Sequence, residues 1–301
     1  MPSTLLITGG SGLLALNWAA SRMDRDHVWL GLNSRQINLD GAYMLQLSGD
    51  FNAAIETVKP DMVIHTAAMT NVDACEAQEK QAIAVNCALA KDAAKAAHRH
   101  ALPFIHISTD HLFSGRQAMV DETATCLPLN IYGHSKLLGE RAVALAHPSA
   151  LILRVNFFGW GPKYRPSFSD WVINNLSSGK PITLYNNVFI TPLYVGEVID
   201  YAHQLLDAKA QGVYNISSSD RISKYDFGMR LAEAFDLEMK LISKDSYNTK
   251  MGAPRPLDMS LSNKKICGRL GIKEINLNQS IEKLCADKER QKIFFKIDAI
   301  I

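Results

Sequence analysis

The chain has 301 residues, 47% of them hydrophobic, with 32 basic and 30 acidic side chains and a formal net charge of +2. That supplies ample apolar material for a core, and length alone suggests two domains, although α/β folds often run longer as one unit. The near balance of charge excludes the basic excess that a nucleic-acid or membrane-surface protein needs, and no run of like charge is long enough to form a tail.

In chain order, Leu5-Leu6-Ile7 reads as a strand, with neither a basic leader nor a cleavable apolar stretch before it. A helix is expected to begin near Gly12. Between them lies Gly9-x-x-Gly12-x-x-Ala15, a turn in which the first glycine permits a tight reversal and the second lets backbone approach a pyrophosphate. The small third residue suits helix–strand packing, and the helix N-terminus offers free N–H groups to phosphate. Val28-Trp29-Leu30 is the second strand, followed by Leu32-Asn33-Ser34-Arg35. No carboxylate stands between His27 and Leu39 to bind a ribose 2′-hydroxyl, whereas Ser34 and Arg35 suit a 2′-phosphate. NADPH is therefore favoured over NADH as the cofactor.

A helix near 51–59 stops at Pro60, and Met62-Val63-Ile64 is the third strand. Residues 78–100 form an alanine-rich helix with Lys91, Asp92 and Lys95 on its wet face. Pro103 to Ile107 is a strand, Tyr132 to Ala146 a helix, and Leu151-Ile152-Leu153 a strand again. This alternation of apolar strands and helices predicts an α/β fold, a Rossmann-type doubly wound parallel sheet over residues 1–155. Beyond 156 the pattern is broken by Gly159, Gly161, Pro162, Pro166, Pro181 and Pro192, with helices expected near 194–207, 223–236 and 278–285. Residues 156–301 are expected to form a smaller substrate-binding region, partly interleaved with the first and capping the sheet's C-terminal edge, where ligands of open α/β sheets bind.

Tyr132 and Lys136 are four residues apart on a helix and so share a face. A free tyrosine titrates at about 10, and a neighbouring ammonium is expected to lower that value so that the phenol can exchange a proton with a carbonyl or alcohol. The strand ending at Ile107 delivers Ser108 and Thr109 to the same crevice, where Thr109, with Ser108 as the fallback, would bond the substrate oxygen. The five cysteines, at 75, 87, 126, 267 and 285, make no CxxC pair and read as reduced thiols. His98 and His100 are too close on one helix for a metal pair, and no metal is expected. His106 reads as packed or edge-facing. No Gly-x-Ser-x-Gly elbow marks a hydrolase. Phe157, Phe158 and Trp160 are candidates for pocket or core. No apolar run reaches the ~18 residues of a membrane span, so a cytoplasmic location is expected by default.

Taken together these residues resemble the extended short-chain dehydrogenase/reductase superfamily, and within it the dTDP-4-dehydrorhamnose reductase family. The likeness is carried by Thr8 to Leu14, by Pro60 to Ala68 and by Thr70-Asn71-Val72-Asp73-Ala74-Cys75-Glu76. Val85-Asn86, His106 to Asp110, Pro128 to Lys136, Thr191 to Val195 and Arg255-Pro256 continue it. The resemblance implies reduction of the 4-keto group of a nucleotide-linked 6-deoxyhexose, with Thr109, Tyr132 and Lys136 at the catalytic positions. It implies a cofactor held by Gly9, Ser11, Gly12, Leu13, Asn33, Ser34, Arg35, Ala67, Ala68 and Asn86 together with Tyr132 and Lys136. Substrate would be approached by Thr70, Val72, Asp110, His111, Asn156, Phe157 and Arg255. Three departures, His111 for a usual Tyr, Met69 for a usual Tyr, and Asn156-Phe157-Phe158-Gly159-Trp160 for a Ser-Trp run, alter the pocket lining but not the hydride and proton machinery. Two alternatives stay open: a nucleotide-sugar epimerase or dehydratase that recycles its cofactor, and a non-catalytic regulatory subunit of another enzyme. A homodimer is also left open.

Overall fold

The computed structural model describes residues 1–248, 252–295 and 297. Its centre is a seven-stranded sheet. β1 (Thr4–Thr8), β2 (His27–Leu32), β3 (Tyr43–Gln46), β4 (Met62–His65), β5 (Phe104–Ile107) and β6 (Leu151–Val155) are joined by Gly212–Ile216. The order across the sheet is Gly212–Ile216, β6, β5, β4, β1, β2, β3, and every neighbouring pair is parallel. This is the doubly wound Rossmann arrangement expected from the alternation of apolar runs.

Helices cover both faces, which is why the strands are mostly apolar, with Thr8, His65, His106, Arg154 and Asn215 as buried polar exceptions. Leu5 and Ile7 point to one face, where they pack with Ala15, Leu16 and Trp18 of α1 (Leu13–Arg22) and with Val198, Ile199 and Ala202 of the helix Val195–Asp207. Leu6 points to the other, against Phe51 and Ile55 of α2 (Phe51–Val58). Two helical segments, α3 (Val72–Ala77) and α4 (Glu79–Ile83), follow β4. A π turn over Ala84–Ala88 then leads into α5 (Leu89–Arg99), so the helix expected at 78–100 is interrupted at its middle. Lys91, Asp92 and Lys95 are exposed, as their pattern implied, while Ala90, Ala93, Ala94, Ala96 and Ala97 are buried. α6 (Ile131–Ala146) returns the chain to β6.

The strand Gly212–Ile216 brings the second half of the chain back into the main sheet beside β6. Among the described residues, three two-stranded sheets lie outside it: Phe157–Phe158 with Leu193–Tyr194, Phe189–Ile190 with Ile222–Ser223, and Ile182–Tyr185 with Ile242–Asp245. The helices Val195–Asp207, Lys224–Ala234 and Leu277–Ala286 lie within two residues of their expected bounds. Among the described residues no helix is long and apolar enough to cross a membrane. Strand order reverses at β1, with β2 and β3 to one side and β4 to β6 to the other, and a crevice opens at such a switch point.

Candidate active site

The crevice begins with the turn after β1. Gly9 adopts φ +70°, and a Cβ there would lie 2.8 Å from both the Cα and the nitrogen of Ala67. Only glycine permits that contact between the ends of β1 and β4. Thr66 Oγ1 donates to the Thr8 carbonyl at 2.8 Å and fixes the same junction. The turn closes with Gly12 N donating to the Gly9 carbonyl at 2.8 Å. Gly12 then starts α1 with no side-chain cap, so first-turn N–H groups remain available to an anion.

A cleft of about 660 Å³ runs from this turn across the sheet's C-terminal edge, within the size range of cofactor sites. Gly9, Ser11, Gly12, Leu13 and Asn33 line one end; Ala67, Ala68 and Thr70 form the middle; Thr109, Tyr132, Lys136 and Phe157 close the other end. The cleft also takes in residues that were not expected in the site. Leu47, Ser48 and Gly49 follow the short edge strand β3, Val85 lies within the π turn and Leu89 follows it, and Arg165 to Ser167 belong to the broken stretch after β6 that leads into the helix beginning at Phe168. Ser108 lines the cleft, and its buried Oγ has no hydrogen-bond partner among the described residues. A cradle with uncapped N–H groups, glycine at the close approach and an unsatisfied hydroxyl inside fits a dinucleotide cofactor.

The proton-transfer set depends on how α6 meets the loop after β5. Asn130 caps the helix by accepting from Gly133 N at 2.8 Å. A Cβ on Gly133 would overlap the His111 carbonyl oxygen, so the absence of a side chain is what lets the Ser108–His111 loop lie on the first turn. Tyr132 and Lys136 are then brought beside Thr109, all three buried. Lys136 Nζ donates to the Ile107 carbonyl at 2.6 Å, and burial pulls its pKa down to about 8. Burial pushes the Tyr132 phenol up to about 12, against the opposing effect of its hydrogen bond with Thr109.

That direction corrects the expectation of an acidified phenol. The ammonium is spent on the Ile107 carbonyl, and loss of water, reinforced by the nearby Asp110 carboxylate, outweighs the Thr109 hydrogen bond. A phenol that keeps its proton through the neutral range is in the state needed to donate to an oxyanion.

The remaining candidates surround this set at different depths. Thr109 Oγ1 donates to Asp110 Oδ1 at 3.2 Å, and the Asn156 amide donates to the other Asp110 oxygen. The His111 ring meets Tyr132 edge-on with centroids 5.4 Å apart, and burial holds the imidazole below its usual pKa. Asp110, His111 and Asn156 lie behind the cleft wall rather than on it, and so does Val72, which packs with Met69 and Tyr132. Arg255 pairs with Asp73 at 2.7 Å, away from the lining. Ser34 and Arg35 are exposed outside it. Of the aromatic run only Phe157 reaches the cleft; Phe158 and Trp160 are buried, and the Trp160 indole donates to the Leu284 carbonyl at 3.2 Å.

Asn86 is fully buried behind the site. Its Oδ1 accepts from Met69 N at 2.7 Å, and its Nδ2 donates to the Met69 carbonyl at 3.0 Å and to Ser135 Oγ at 2.9 Å. Ser135 Oγ in turn donates to the Tyr132 carbonyl at 2.9 Å. The asparagine thus joins the Met69–Thr70 loop to the helix that carries Tyr132, and it supports the cleft without lining it.

Comparison with known proteins agrees with the fold and identifies the family. A probable low-salt glycan biosynthesis reductase of Haloferax volcanii is 31% identical over 92% of this chain and 96% of its own length. The methionine adenosyltransferase 2 subunit beta of Xenopus tropicalis is 28% identical over 96% of this chain and 90% of its own. Among solved structures, dTDP-4-dehydrorhamnose reductase from Bacillus anthracis in complex with NADP superposes with a TM-score of 0.83 at 21% identity, covering 95% of this chain and all of that one, 100%. The sequence model of the RmlD substrate binding domain matches residues 3–290. The chain belongs to the RmlD substrate binding domain family.

Proposed function

We propose that this chain is an NADPH-dependent reductase of the 4-keto group of a nucleotide-linked 6-deoxyhexose. The observation that carries the proposal is that Thr109, Tyr132 and Lys136 share one cleft with the Gly9–Gly12 turn. A nicotinamide coenzyme bound there would supply the hydride. Gly9, Ser11, Gly12 and Leu13 would seat its pyrophosphate, and Ala67 and Ala68 would pass beneath it. Thr109 would hold the ketone oxygen, and Tyr132 would give that oxygen its proton as charge develops. Lys136 would fix the far side of the site from its anchor on the Ile107 carbonyl. Thr70 and Phe157, both on the cleft wall, would meet the sugar, with residues from 156 onward contributing most of the substrate side.

The test is NADPH oxidation with a panel of 4-keto-6-deoxy nucleotide sugars, comparing wild type with Tyr132→Phe. Turnover by the wild type and a loss of about 100- to 10,000-fold in kcat for the variant are expected. Equal rates would remove Tyr132 from its role. A second reading, suggested by the similarity to methionine adenosyltransferase 2 subunit beta, is a regulatory partner of another enzyme. Coenzyme binding without turnover on any sugar nucleotide, together with co-purification of a second enzyme, would replace the first reading with this one.

A further inference from the structure

We infer that Tyr164 is a specificity-determining residue, which holds the Arg35 guanidinium in place for the 2′-phosphate of the coenzyme. The inference rests on the NADPH reading above and assigns part of that selectivity to a residue far from β2 in the chain. Tyr164 lies at the middle of a strap, Gly161 to Ser167, that follows the buried Trp160. Both ends of the strap are tied to one carboxylate: Asp170 Oδ2 accepts from Gly161 N at 2.9 Å and from Ser167 N at 2.8 Å. Gly161 has no room for a side chain, since a Cβ would sit 2.6 Å from the Arg165 carbonyl oxygen and 2.8 Å from Leu13 Cδ1. The strap therefore has a fixed course over the start of α1.

At its centre the Tyr164 hydroxyl donates to the Ser11 carbonyl at 3.0 Å, inside the Gly9–Gly12 turn. The next residue, Arg165, donates to Thr70 Oγ1 at 2.6 Å on the far side of the cleft. The ring of Tyr164, pinned in this way, lies under the Arg35 guanidinium, whose Cζ is 4.3 Å from the ring centroid. Among the described residues Arg35 is in none of the ion pairs. A guanidinium held over an aromatic ring still has N–H groups directed away from that ring, and such groups bind phosphate. Arg35 stands just past the end of β2, where a Rossmann sheet presents the ribose 2′ position. An exposed arginine on a loop would otherwise sample many rotamers; the ring restricts it to one side of the turn.

The experiment measures dissociation constants of NADPH and NADH by coenzyme fluorescence, with adenosine 2′,5′-bisphosphate and 5′-AMP as competing probes. It uses the full chain as wild type, Tyr164→Ala, Tyr164→Phe and Arg35→Ala. Wild type is expected to prefer NADPH and the bisphosphate. Tyr164→Ala should weaken both 2′-phosphorylated ligands by about two- to fivefold while leaving NADH and 5′-AMP within error. Tyr164→Phe, which keeps the ring, should retain most of the preference. If Tyr164→Ala weakens all four ligands alike, the residue only shapes the strap and the inference is overturned; no change for any ligand overturns it equally. If Arg35→Ala abolishes the preference and Tyr164→Ala does not, the NADPH reading stands and this inference alone falls. If Arg35→Ala leaves the preference intact, or wild type shows none, the assignment of Arg35 to the 2′-phosphate fails first and takes this inference with it.

Discussion

Lys136 is protonated in water at neutral pH, yet the fold leaves only 3% of it exposed. Its pKa falls from 10.5 to about 8 because burial disfavours the ammonium, so the charged form destabilises the folded protein. Below pH 8 both folded and unfolded chains carry the proton and the whole penalty is present. Between about 8 and 10.5 the unfolded chain binds more protons than the folded one, so stability rises with pH across that window. Lys136→Met is accordingly expected to be more stable than wild type at pH 7 by on the order of 1–3 kcal/mol, after discounting the lost bond to Ile107. The gap should shrink as pH approaches 10. Thermal midpoints of the two ligand-free proteins over that range check it; a gap that stays constant or widens would contradict a buried ammonium. That Tyr132 and Lys136 share a helix face was legible in the sequence from their four-residue spacing. The direction of the phenol's shift was not, since it depends on which carbonyl takes the ammonium and on how much water the loop at Ser108–His111 excludes.

The same distinction holds for elements. The long apolar strands and their helices follow from hydrophobic period, and the observed bounds agree with it. β3 escaped because it has four residues at a sheet edge, only partly covered, and so carries no alternation to detect. The π turn escaped because an alanine-rich stretch suits an α-helix and a widened turn alike. Yet that turn sets the site's geometry: it places Val85 and Leu89 on the cleft wall and aims Asn86 at the Met69 loop and Ser135. Its fit against α6 depends on Gly139, where a Cβ would overlap the Asn86 carbonyl oxygen. In an exposed helix interior Gly→Ala stabilises by about 1 kcal/mol. Here Gly139→Ala is expected to destabilise by about 1–3 kcal/mol, because backbone rather than a movable side chain stands in the way. Denaturant unfolding gives the sign directly. On the reductase function proposed above, NADPH turnover should fall as well, since the displaced helix carries Tyr132 and Lys136.

Across the whole molecule, the division near residue 155 marks a change of pattern in the sequence, while the core runs through it. Leu5, Ile7 and Trp18 share one apolar cluster with Val198, Ala202, Leu277 and Leu284. The Asn17 amide donates to the Trp160 carbonyl at 2.8 Å, and the Trp18 indole donates to His203 Nε2 at 3.0 Å. β6, buried at every position, has Gly212–Ile216 as its outer neighbour. Local pattern suggested a partial interleaving of the two regions, but not which distant segments return to the core or where they pack. The shared core has a consequence for the protein cut at residue 155. Such a fragment would expose one face of α1 and an unpaired β6 edge, with no helix Val195–Asp207 to cover the sheet. Residues 1–155 expressed alone are therefore expected to lack a cooperative thermal transition and to associate through that surface, whereas the full chain, with its shared core, is expected to show one. Calorimetry on both proteins, with sedimentation of the fragment, decides the matter. A fragment that melts cooperatively as a monomer and still binds NADPH would show that the nucleotide-binding half is an independent unit, and that the shared core contributes stability without being required for folding.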